Sequence, residues 1–141
     1  MSRGLVILGV AASDSHVVAN HLIAGFLRAS GFEVVNLGPC SPLEEFADAC
    51  DRHPEVAAVL IGSLNGHAQE DLRELPMLRA SGRIPCPVVL GGNLSVGSRK
   101  DPRVLDRLYG LGVDRILTDA DGLPELLDEL SSANRVLSAV S

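Results

Sequence analysis

The sequence predicts an α/β fold built as a single doubly wound, five-stranded parallel sheet flanked by helices. Short apolar runs alternate with longer amphipathic segments along the chain, which is typical of parallel strands joined by helical crossovers. A length of 141 residues is enough for one domain to bury a core unaided. We therefore expect one domain over 1–141, with its core over about 5–130 and a C-terminal tail over 131–141.

Five apolar runs have the length and composition of buried strands. They are Leu5 to Val10, Glu33 to Asn36, Val56 to Ile61, Val88 to Leu90, and Arg115 to Thr118. Small or polar residues follow each run: Ser13 to His16, Gly38 to Cys40, Gly62 to Leu64, Gly91 to Asn93, and Thr118-Asp119. Open parallel sheets bind ligands outside the carboxyl ends of their strands, where the strand order reverses. We therefore expect a ligand to lie across these segments.

The helix predicted after the first strand runs from about Val17 to Ser30. Gly31 is its stop signal, because glycine is favoured just past the end of a helix. Four apolar residues share one face of this helix: Leu22, Ile23, Phe26 and Leu27. This spacing is that of an amphipathic helix.

Ser41, Pro42 and Glu44 give a strong helix-start signal. They predict a capping box with proline at the first helical position, in a helix that runs to about His53. The remaining predicted helices are Gln69 to Ser81, Asp101 to just before Gly112, and Leu123 to Leu130. Pro76 predicts that the first of these three starts late or is interrupted.

Composition argues against two classes of partner. A net charge of -6 and an aromatic content of 3% leave neither the basic surface nor the stacking side chains of nucleic-acid binding. No apolar run approaches the roughly 20 residues that a membrane-spanning helix needs. The three cysteines are odd in number and form no CxxC pair. This usage favours buried, small side chains and a reducing compartment, so we expect a cytoplasmic protein.

Several familiar chemistries of such sheets fail on their motifs. The turn from Gly9 to Asp14 matches neither the phosphate-binding GxxxxGK[ST] nor the dinucleotide-binding GxGxxG. A phosphate-accepting receiver needs an aspartate after the third strand and a lysine after the fifth, where this chain has Gly62-Ser63 and Thr118-Asp119. Zinc is disfavoured too, because no HxxxH or CxxC spacing supplies convergent ligands.

Asp14, Ser15 and His16 lie in the loop between the first strand and the first helix. A carboxylate two residues before an imidazole can accept a hydrogen bond from one ring N–H, which fixes the tautomer and leaves the other nitrogen to bind a metal. Asp14 can equally cap the helix that begins near Val17, with His16 as a surface side chain. The triplet alone leaves both interpretations open.

Two further motifs occur in order behind this triplet. Ser63-Leu64-Asn65-Gly66 follows the third strand, and Gly91-Gly92-Asn93 follows the fourth. Together with Asp14-x-His16, this set resembles the DxHxxG, SxL and GG signature of cobalamin-binding domains. Within that family the chain is most similar to the small, cobalamin-binding subunit of glutamate mutase (methylaspartate mutase), from Leu5 to about Leu130. Only four residues precede Leu5, so we expect no helical cap domain and a free-standing Rossmann-like domain.

The resemblance implies a role for each motif residue. His16 would displace the benzimidazole base of the cofactor and bind cobalt from below, with Asp14 orienting the imidazole. Ser63 would contact the displaced nucleotide tail, and Gly91 and Gly92 would let the backbone lie close to it. The implied cofactor-binding set is Ser13, Asp14, Ser15, His16, Val17, Ser63, Leu64, Gly91, Gly92 and Asn93, with His16 as the metal ligand. Ser13 and Leu64 would flank the corrin or the tail.

The resemblance also implies a reaction and a partner. The cofactor would be adenosylcobalamin, a cobalt corrinoid, and a larger TIM-barrel subunit would bind glutamate and interconvert L-glutamate and 3-methylaspartate. The chain alone would then be inactive, as the non-catalytic subunit of an isomerase. Both a homodimer and a heterotetramer are open.

Two positions depart from the family pattern. Ala19 stands where the signature has glycine, and Asn65 stands where the loop often carries an aromatic residue. They keep a second hypothesis open, in which the chain is a cobalamin carrier or sensor for another enzyme or regulator. A third hypothesis is a flavodoxin-like interaction domain without a cofactor. Among the other histidines, His21 and His53 are expected to be surface residues, and His67 is left between a structural role and a contact with cofactor or partner.

Overall fold

Strands and helices alternate through the part of the chain that the structure, a computed structural model, describes: residues 4–11, 17–62, 72–91, 102–117 and 122–130. The elements are β1 (Leu5–Ala11), α1 (Val17–Ala29), β2 (Glu33–Ser41), α2 (Leu43–Arg52), β3 (Val56–Gly62), α3 (Leu75–Ala80), β4 (Val88–Gly91), α4 (Pro102–Gly110), β5 (Arg115–Leu117) and α5 (123–130). Within these ranges no helix combines the length and the hydrophobicity needed to cross a membrane.

The five strands pair in parallel in the order β2-β1-β3-β4-β5. This confirms the predicted fold class, a doubly wound parallel sheet with flanking helices. The chain first winds from β1 to β2 on one side and then returns to build β3, β4 and β5 on the other. The strand order therefore reverses between β1 and β3, which is the position where such sheets bind ligands.

The two faces of the sheet carry separate cores because successive side chains along a strand point to opposite faces. On β1, Ile7 joins a buried cluster with residues of α2, α3 and α4, which we call the α2 face. Val6 and Leu8 join a second cluster with Ala24 and Leu27 of α1 and with residues of α5, which we call the α1 face. Each fully buried leucine or isoleucine contributes about 1.5–3 kcal/mol to stability.

Helix α1 ends as predicted at Gly31, which has φ +100°. The Phe32 N–H donates to Leu27 O (3.0 Å) and the Gly31 N–H to Arg28 O (3.1 Å), which is the Schellman pattern. Phe32 and Leu27 then pack together in the core of the α1 face. Glycine is needed at residue 31 because a left-handed φ is strained for other residues.

The predicted apolar face of α1 is only partly correct. Ala24 and Leu27 are buried, whereas Leu22 is 69% exposed and Phe26 38% exposed. An α-helix turns about 100° per residue, so Leu22, two residues before the buried Ala24, points away from the sheet. The sequence spacing did not distinguish these two faces.

Strand β2 extends to Ser41, so the loop predicted over Gly38 to Cys40 lies within the strand. The pairing of β2 with β1 is irregular there, with register shifts after Leu8 and after Gly9. Gly38 has φ +83° and its N–H donates to Asn36 Oδ1 (3.0 Å). Side-chain hydrogen bonding thus carries the strand through residues whose composition predicted a loop.

The predicted capping box at Ser41 is wrong. Pro42 is the N-cap residue of α2 and makes no side-chain cap hydrogen bond, so proline lies one position before the first helical residue. The Ser41 hydroxyl donates instead to Leu37 O (3.3 Å) and Gly38 O (3.2 Å). The hydroxyl therefore stabilises the strand that precedes the helix. The helix still ends as predicted, with His53 as its C-cap.

The later elements agree with the sequence predictions apart from their ends. Helix α3 starts late, at Leu75, with Pro76 in its first turn. Gly91 is the last residue of β4 rather than a loop residue. The predicted end of β5 at Thr118, the segment 69–71 of the third predicted helix, and the tail 131–141 lie outside the described residues.

Cys50 and Cys86 are free and buried in the core of the α2 face, as the cysteine count predicted. Their thiols form a hydrogen bond, which lowers the pKa of Cys50 and raises the pKa of Cys86; burial raises the latter further. Both thiols serve as core side chains at the amino-terminal end of the sheet.

A close contact between β1 and α2 depends on a glycine. A Cβ atom on Gly9 would lie 2.6 Å from Cζ of the fully buried Phe46 and 3.3 Å from Leu37 Cβ. The Phe46 ring therefore packs directly on the backbone of β1. Any side chain at residue 9 displaces α2 from the sheet.

Replacing Gly9 with alanine is expected to lower the free energy of unfolding by about 1–3 kcal/mol, because the added methyl overpacks the core. The matched control is Gly25→Ala in α1, where an added Cβ would have nothing within 4 Å. That change is expected to raise stability by about 0.5–1 kcal/mol through helix propensity. Urea unfolding followed by circular dichroism measures both. Equal effects of the two changes would contradict the close packing at Gly9.

Candidate functional site

The carboxyl ends of four strands form one row across the sheet. Val10 of β1 pairs with Gly62 of β3, Gly62 with Gly91 of β4, and Gly91 with Leu117 of β5. We call this row the carboxyl edge. Helix α1 follows β1 in the sequence and begins at Val17. The three predicted motifs follow β1, β3 and β4, so their segments start from neighbouring points of one edge.

Glycine ends two adjacent strands at this edge. Gly62 follows Leu60 on the α1 face by strand alternation, and among the residues that the structure describes a Cβ on Gly62 would meet Gly9 O alone, at 3.8 Å. Gly91 follows Val89 on the same face of the neighbouring strand. Neither β3 nor β4 therefore ends in a side chain on the α1 face. Glycine at a strand end allows another group to approach the backbone closely.

The α2 face of the sheet is densely packed next to the carboxyl edge. Phe46 packs on Gly9 from the α2 face, one residue before Val10 in the carboxyl edge. Leu90 and Ile61, the residues before Gly91 and Gly62, are buried in the same core. Among the described residues, the packing beside the carboxyl edge is therefore closer on the α2 face than on the α1 face.

Most of the predicted site residues lie outside the described part of the chain. These are Ser13, Asp14, Ser15, His16, Ser63, Leu64, Gly92 and Asn93. Gly91 is the last residue of β4, and Val17 is the first residue of α1. Ser63 follows Gly62 directly in the sequence, Gly92 follows Gly91, and His16 precedes Val17. The structure thus defines the strand ends from which these motifs continue, and the site residues stay a prediction.

The histidines in the described part of the chain do not form a metal centre. His21 is exposed on α1, and His53 at the end of α2 has its Nδ1 3.6 Å from Glu55 Oε1. Within the described ranges, no three histidine, cysteine or acidic residues lie close enough to hold a metal ion. His67, Asn65 and the side chain of Ala19 lie outside the part of the chain that the structure describes. The two departures from the signature are therefore not tested by the structure.

Charged clusters lie at the other end of the sheet. Arg83 contacts Asp48 (2.6 Å) and Asp51 (3.2 Å), and hydrogen bonds to these carboxylates raise the pKa of Arg83. Asp114, just before β5, contacts Arg79 (3.3 Å) and accepts a hydrogen bond from the Val88 N–H (2.8 Å). These groups connect α2, α3 and the starts of β4 and β5. They stabilise the end of the sheet opposite to the carboxyl edge.

Comparison with known protein families shows which family this chain belongs to. The model of the B12 binding domain matches residues 4–125, which include every described strand. This chain belongs to the B12-binding domain family.

Several curated proteins to which this chain is similar are glutamate mutase sigma subunits. The chain is 37% identical to the glutamate mutase sigma subunit of Halobacterium salinarum over 127 residues, 90% of this chain and 85% of the relative. It is 35% identical to glutamate mutase sigma subunit 2 of Haloarcula marismortui, with the same coverage. The sigma subunit of Clostridium tetani is 32% identical over 93% of this chain and 98% of its own length.

Solved structures with the same fold include corrinoid proteins. The cobalamin-binding protein of Desulfitobacterium hafniense superposes with a TM-score of 0.67, over 94% of this chain and 58% of its own. The methanol:cobalamin methyltransferase complex MtaBC of Methanosarcina barkeri gives 0.74, over 94% of this chain and 48% of its own. Both are 24% identical to this chain, so they establish the fold.

Gly62 was predicted, with Ser63 and Leu64, to belong to a segment that a ligand crosses, but it was not among the predicted cofactor-binding residues. The structure makes Gly62 the last residue of β3, and strand alternation places it on the α1 face. Asn36 and Ser41 were overlooked as well, because the composition of β2 predicted a loop after Asn36.

Replacing Gly62 with alanine tests the close approach to the backbone at this edge. Because among the described residues the added Cβ meets Gly9 O alone, at 3.8 Å, the free energy of unfolding without ligand is expected to change by less than about 0.5 kcal/mol. Cobalamin affinity is expected to fall about tenfold, since overpacking a close contact costs about 1–3 kcal/mol. Equilibrium dialysis with cobalamin measures the affinity, and Gly25→Ala is the matched control. Unchanged affinity in Gly62→Ala would mean that no ligand group lies over β3.

Proposed function

We propose that this chain is the cobalamin-binding subunit of glutamate mutase and that it holds adenosylcobalamin with His16 as the lower ligand of cobalt. The observation that carries the proposal is the carboxyl edge. Glycines end two adjacent strands there, and the three motifs of the cobalamin signature follow the strand ends in order. The relatives named glutamate mutase sigma subunits support the choice of enzyme.

The residues of this chain fit a cobalamin. A corrinoid has a broad ring and a long nucleotide tail, and it needs close approach to the backbone as well as one nitrogen ligand. Gly62 ends β3 on the α1 face without a side chain, and Gly91 ends the adjacent strand on that face in the same way. An imidazole at residue 16 supplies a nitrogen donor of the kind that transition metals accept in proteins.

In this proposal His16 and Asp14 act as a pair. His16 would bind cobalt through one ring nitrogen, in place of the benzimidazole base of the cofactor. Asp14 would accept a hydrogen bond from the N–H of the other ring nitrogen, which would fix the tautomer, orient the ring and make the ligating nitrogen more basic. Ser15 and Val17 flank this pair at the start of α1.

The displaced nucleotide tail would lie over the ends of β3 and β4. Ser63 would donate a hydrogen bond to it, and Gly91 and Gly92 would let the backbone run close beside it. Ser13, Leu64 and Asn93 would flank the corrin and the tail. The absence of a side chain at Gly62 on the α1 face supports this side of the sheet for the tail, because Phe46 packs on the opposite face.

Bound adenosylcobalamin supplies an adenosyl radical by homolysis of its cobalt–carbon bond, and the protein contributes binding, orientation and the axial ligand. We infer that a separate, larger subunit with a TIM-barrel fold covers the upper face of the corrin and binds glutamate. That subunit would exclude water and position the substrate for rearrangement to 3-methylaspartate. The subunit designation of the relatives supports a divided enzyme.

Ala19 and Asn65 favour a second candidate function. Both differ from the family signature beside the motifs that would contact the cofactor. A chain that binds cobalamin as a carrier or sensor for another enzyme needs the histidine and the tail site but no fit to a glutamate-binding subunit. The two functions share the cofactor and differ in the partner.

Changing the proposed ligand pair is expected to weaken cobalamin binding in a graded way. Asp14→Asn is expected to lower affinity about 10- to 100-fold, as is typical when the partner of a metal-binding histidine is lost. His16→Ala is expected to lower it further. His21→Ala, which changes an exposed histidine five residues away, is the matched control and should bind as the wild-type protein does. Visible-absorption titration measures all four affinities, and equal affinity in His16→Ala and His21→Ala would contradict the proposal.

Turnover distinguishes the enzyme subunit from the carrier. With adenosylcobalamin and L-glutamate, the isolated chain is expected to form no 3-methylaspartate, because in this proposal the substrate site belongs to the separate subunit. Adding the catalytic subunit of a glutamate mutase should start turnover that saturates with increasing chain concentration. Product formation by the chain alone would refute the subunit hypothesis. Tight cobalamin binding without turnover in the mixture would favour the carrier or sensor.

A further inference from the structure

Strand β2 is distorted at one place, where it runs beside the exit of β1. Leu8 pairs with Asn36 and Ala11 pairs with Ser41, so β2 carries two more residues than β1 between these two pairs. Among the described strands, β2 lies at the edge of the sheet and pairs with β1 alone. The extra residues of β2 therefore change its pairing with β1 and with no other described strand. Such bulges occur preferentially at sheet edges and next to active sites.

Two side chains hold the distortion together. Asn36 Oδ1 accepts a hydrogen bond from the Gly38 N–H at 3.0 Å. The hydroxyl of Ser41, which is only 2% exposed, reaches the carbonyl oxygens of Leu37 (3.3 Å) and Gly38 (3.2 Å). Backbone groups that a regular ladder would pair are thus paired by Asn36 and Ser41. Losing either side chain leaves partly buried backbone groups without these partners.

The distortion lets β2 follow β1 to its last residue. Ser41 pairs with Ala11, and the segment 12–16 that contains Asp14 and His16 starts immediately afterwards. Directly after Ser41 the chain turns into α2, which places Phe46 on Gly9. The exit of β1 is therefore held at its side by β2 and on the α2 face by Phe46.

We propose that Asn36 and Ser41 are positioning residues for the loop that carries the cobalt ligand. They act by fixing the point at which β1 ends. This inference rests on the proposed function, since it assigns them to the ligation of cobalt by His16. Metal ligands lose affinity when the groups that orient them are loosened, typically by about 10- to 100-fold.

The test uses the full chain and Co(II) cobinamide, a corrinoid that lacks the nucleotide base. With this probe, only the protein can supply a nitrogen ligand, and visible absorption reports the share of cobalt that carries one. Ser41→Ala is expected to weaken this ligation about tenfold relative to wild type. The control is Ser81→Ala, which removes a hydroxyl hydrogen-bonded to Leu78 O (3.1 Å) at the opposite end of the sheet. That variant should ligate cobalt as the wild type does.

A second pair of variants separates positioning from loss of folding. Asn36→Asp keeps an oxygen acceptor for the Gly38 N–H, whereas Asn36→Leu has a similar size and no acceptor. Ligation is expected to stay near wild type in Asn36→Asp and to fall about tenfold in Asn36→Leu. Circular dichroism confirms that each variant is folded. If Ser41→Ala fails to fold, the Asn36 pair decides the outcome.

Each result has a distinct meaning. Weaker ligation in Ser41→Ala and Asn36→Leu, with normal ligation in Ser81→Ala and Asn36→Asp, supports the inference. Normal ligation in Ser41→Ala and Asn36→Leu overturns it and leaves the proposed function intact. A wild-type chain whose histidine ligates the cobalt of neither cobinamide nor intact cobalamin overturns the proposed function and this inference together.

Discussion

Parallel pairing of the central strands is the constraint on which the rest of this structure depends. Val10, Gly62, Gly91 and Leu117 lie in one row because β1, β3, β4 and β5 run in the same direction and in register. Segments that are distant in sequence therefore leave the sheet at neighbouring points. A cofactor that needs a ligand from one loop and a tail site from two others can be bound there without further structure.

The two faces of the sheet use glycine for opposite purposes. At Gly9 the absent side chain is replaced by the Phe46 ring, which brings α2 against β1 and fills the space completely. At Gly62 the absent side chain is not replaced by any described residue, because Gly9 O at 3.8 Å is all that a Cβ would meet among them. The same residue type thus allows close packing on the α2 face and leaves the described part of the α1 face without a close contact at this position.

The sequence predicted correctly those features of the fold that depend on residues close together along the chain. The strand runs, the stop at Gly31 and the late start of α3 at Pro76 follow from hydrophobicity and backbone geometry, and they were predicted correctly. The length of β2 was not, because Asn36 and Ser41 replace ladder hydrogen bonds through contacts that composition does not encode. Ser41 fits the capping-box pattern, yet its hydroxyl bonds backwards into the strand. The order of the site motifs was visible in the sequence, whereas the absence of a close contact at Gly62 required the packing of the described residues.

The ligand of cobalt is the most direct test of the account. The protein would be labelled with nitrogen-15 in histidine, loaded with cobalamin and reduced to Co(II), and its electron paramagnetic resonance spectrum recorded. The account predicts a superhyperfine doublet from a labelled histidine nitrogen, which is lost in His16→Ala. A triplet from the unlabelled benzimidazole, or a protein that retains no cobalamin, would contradict it. Asp14 and His16 would then be structural residues of a sheet edge that serves another purpose.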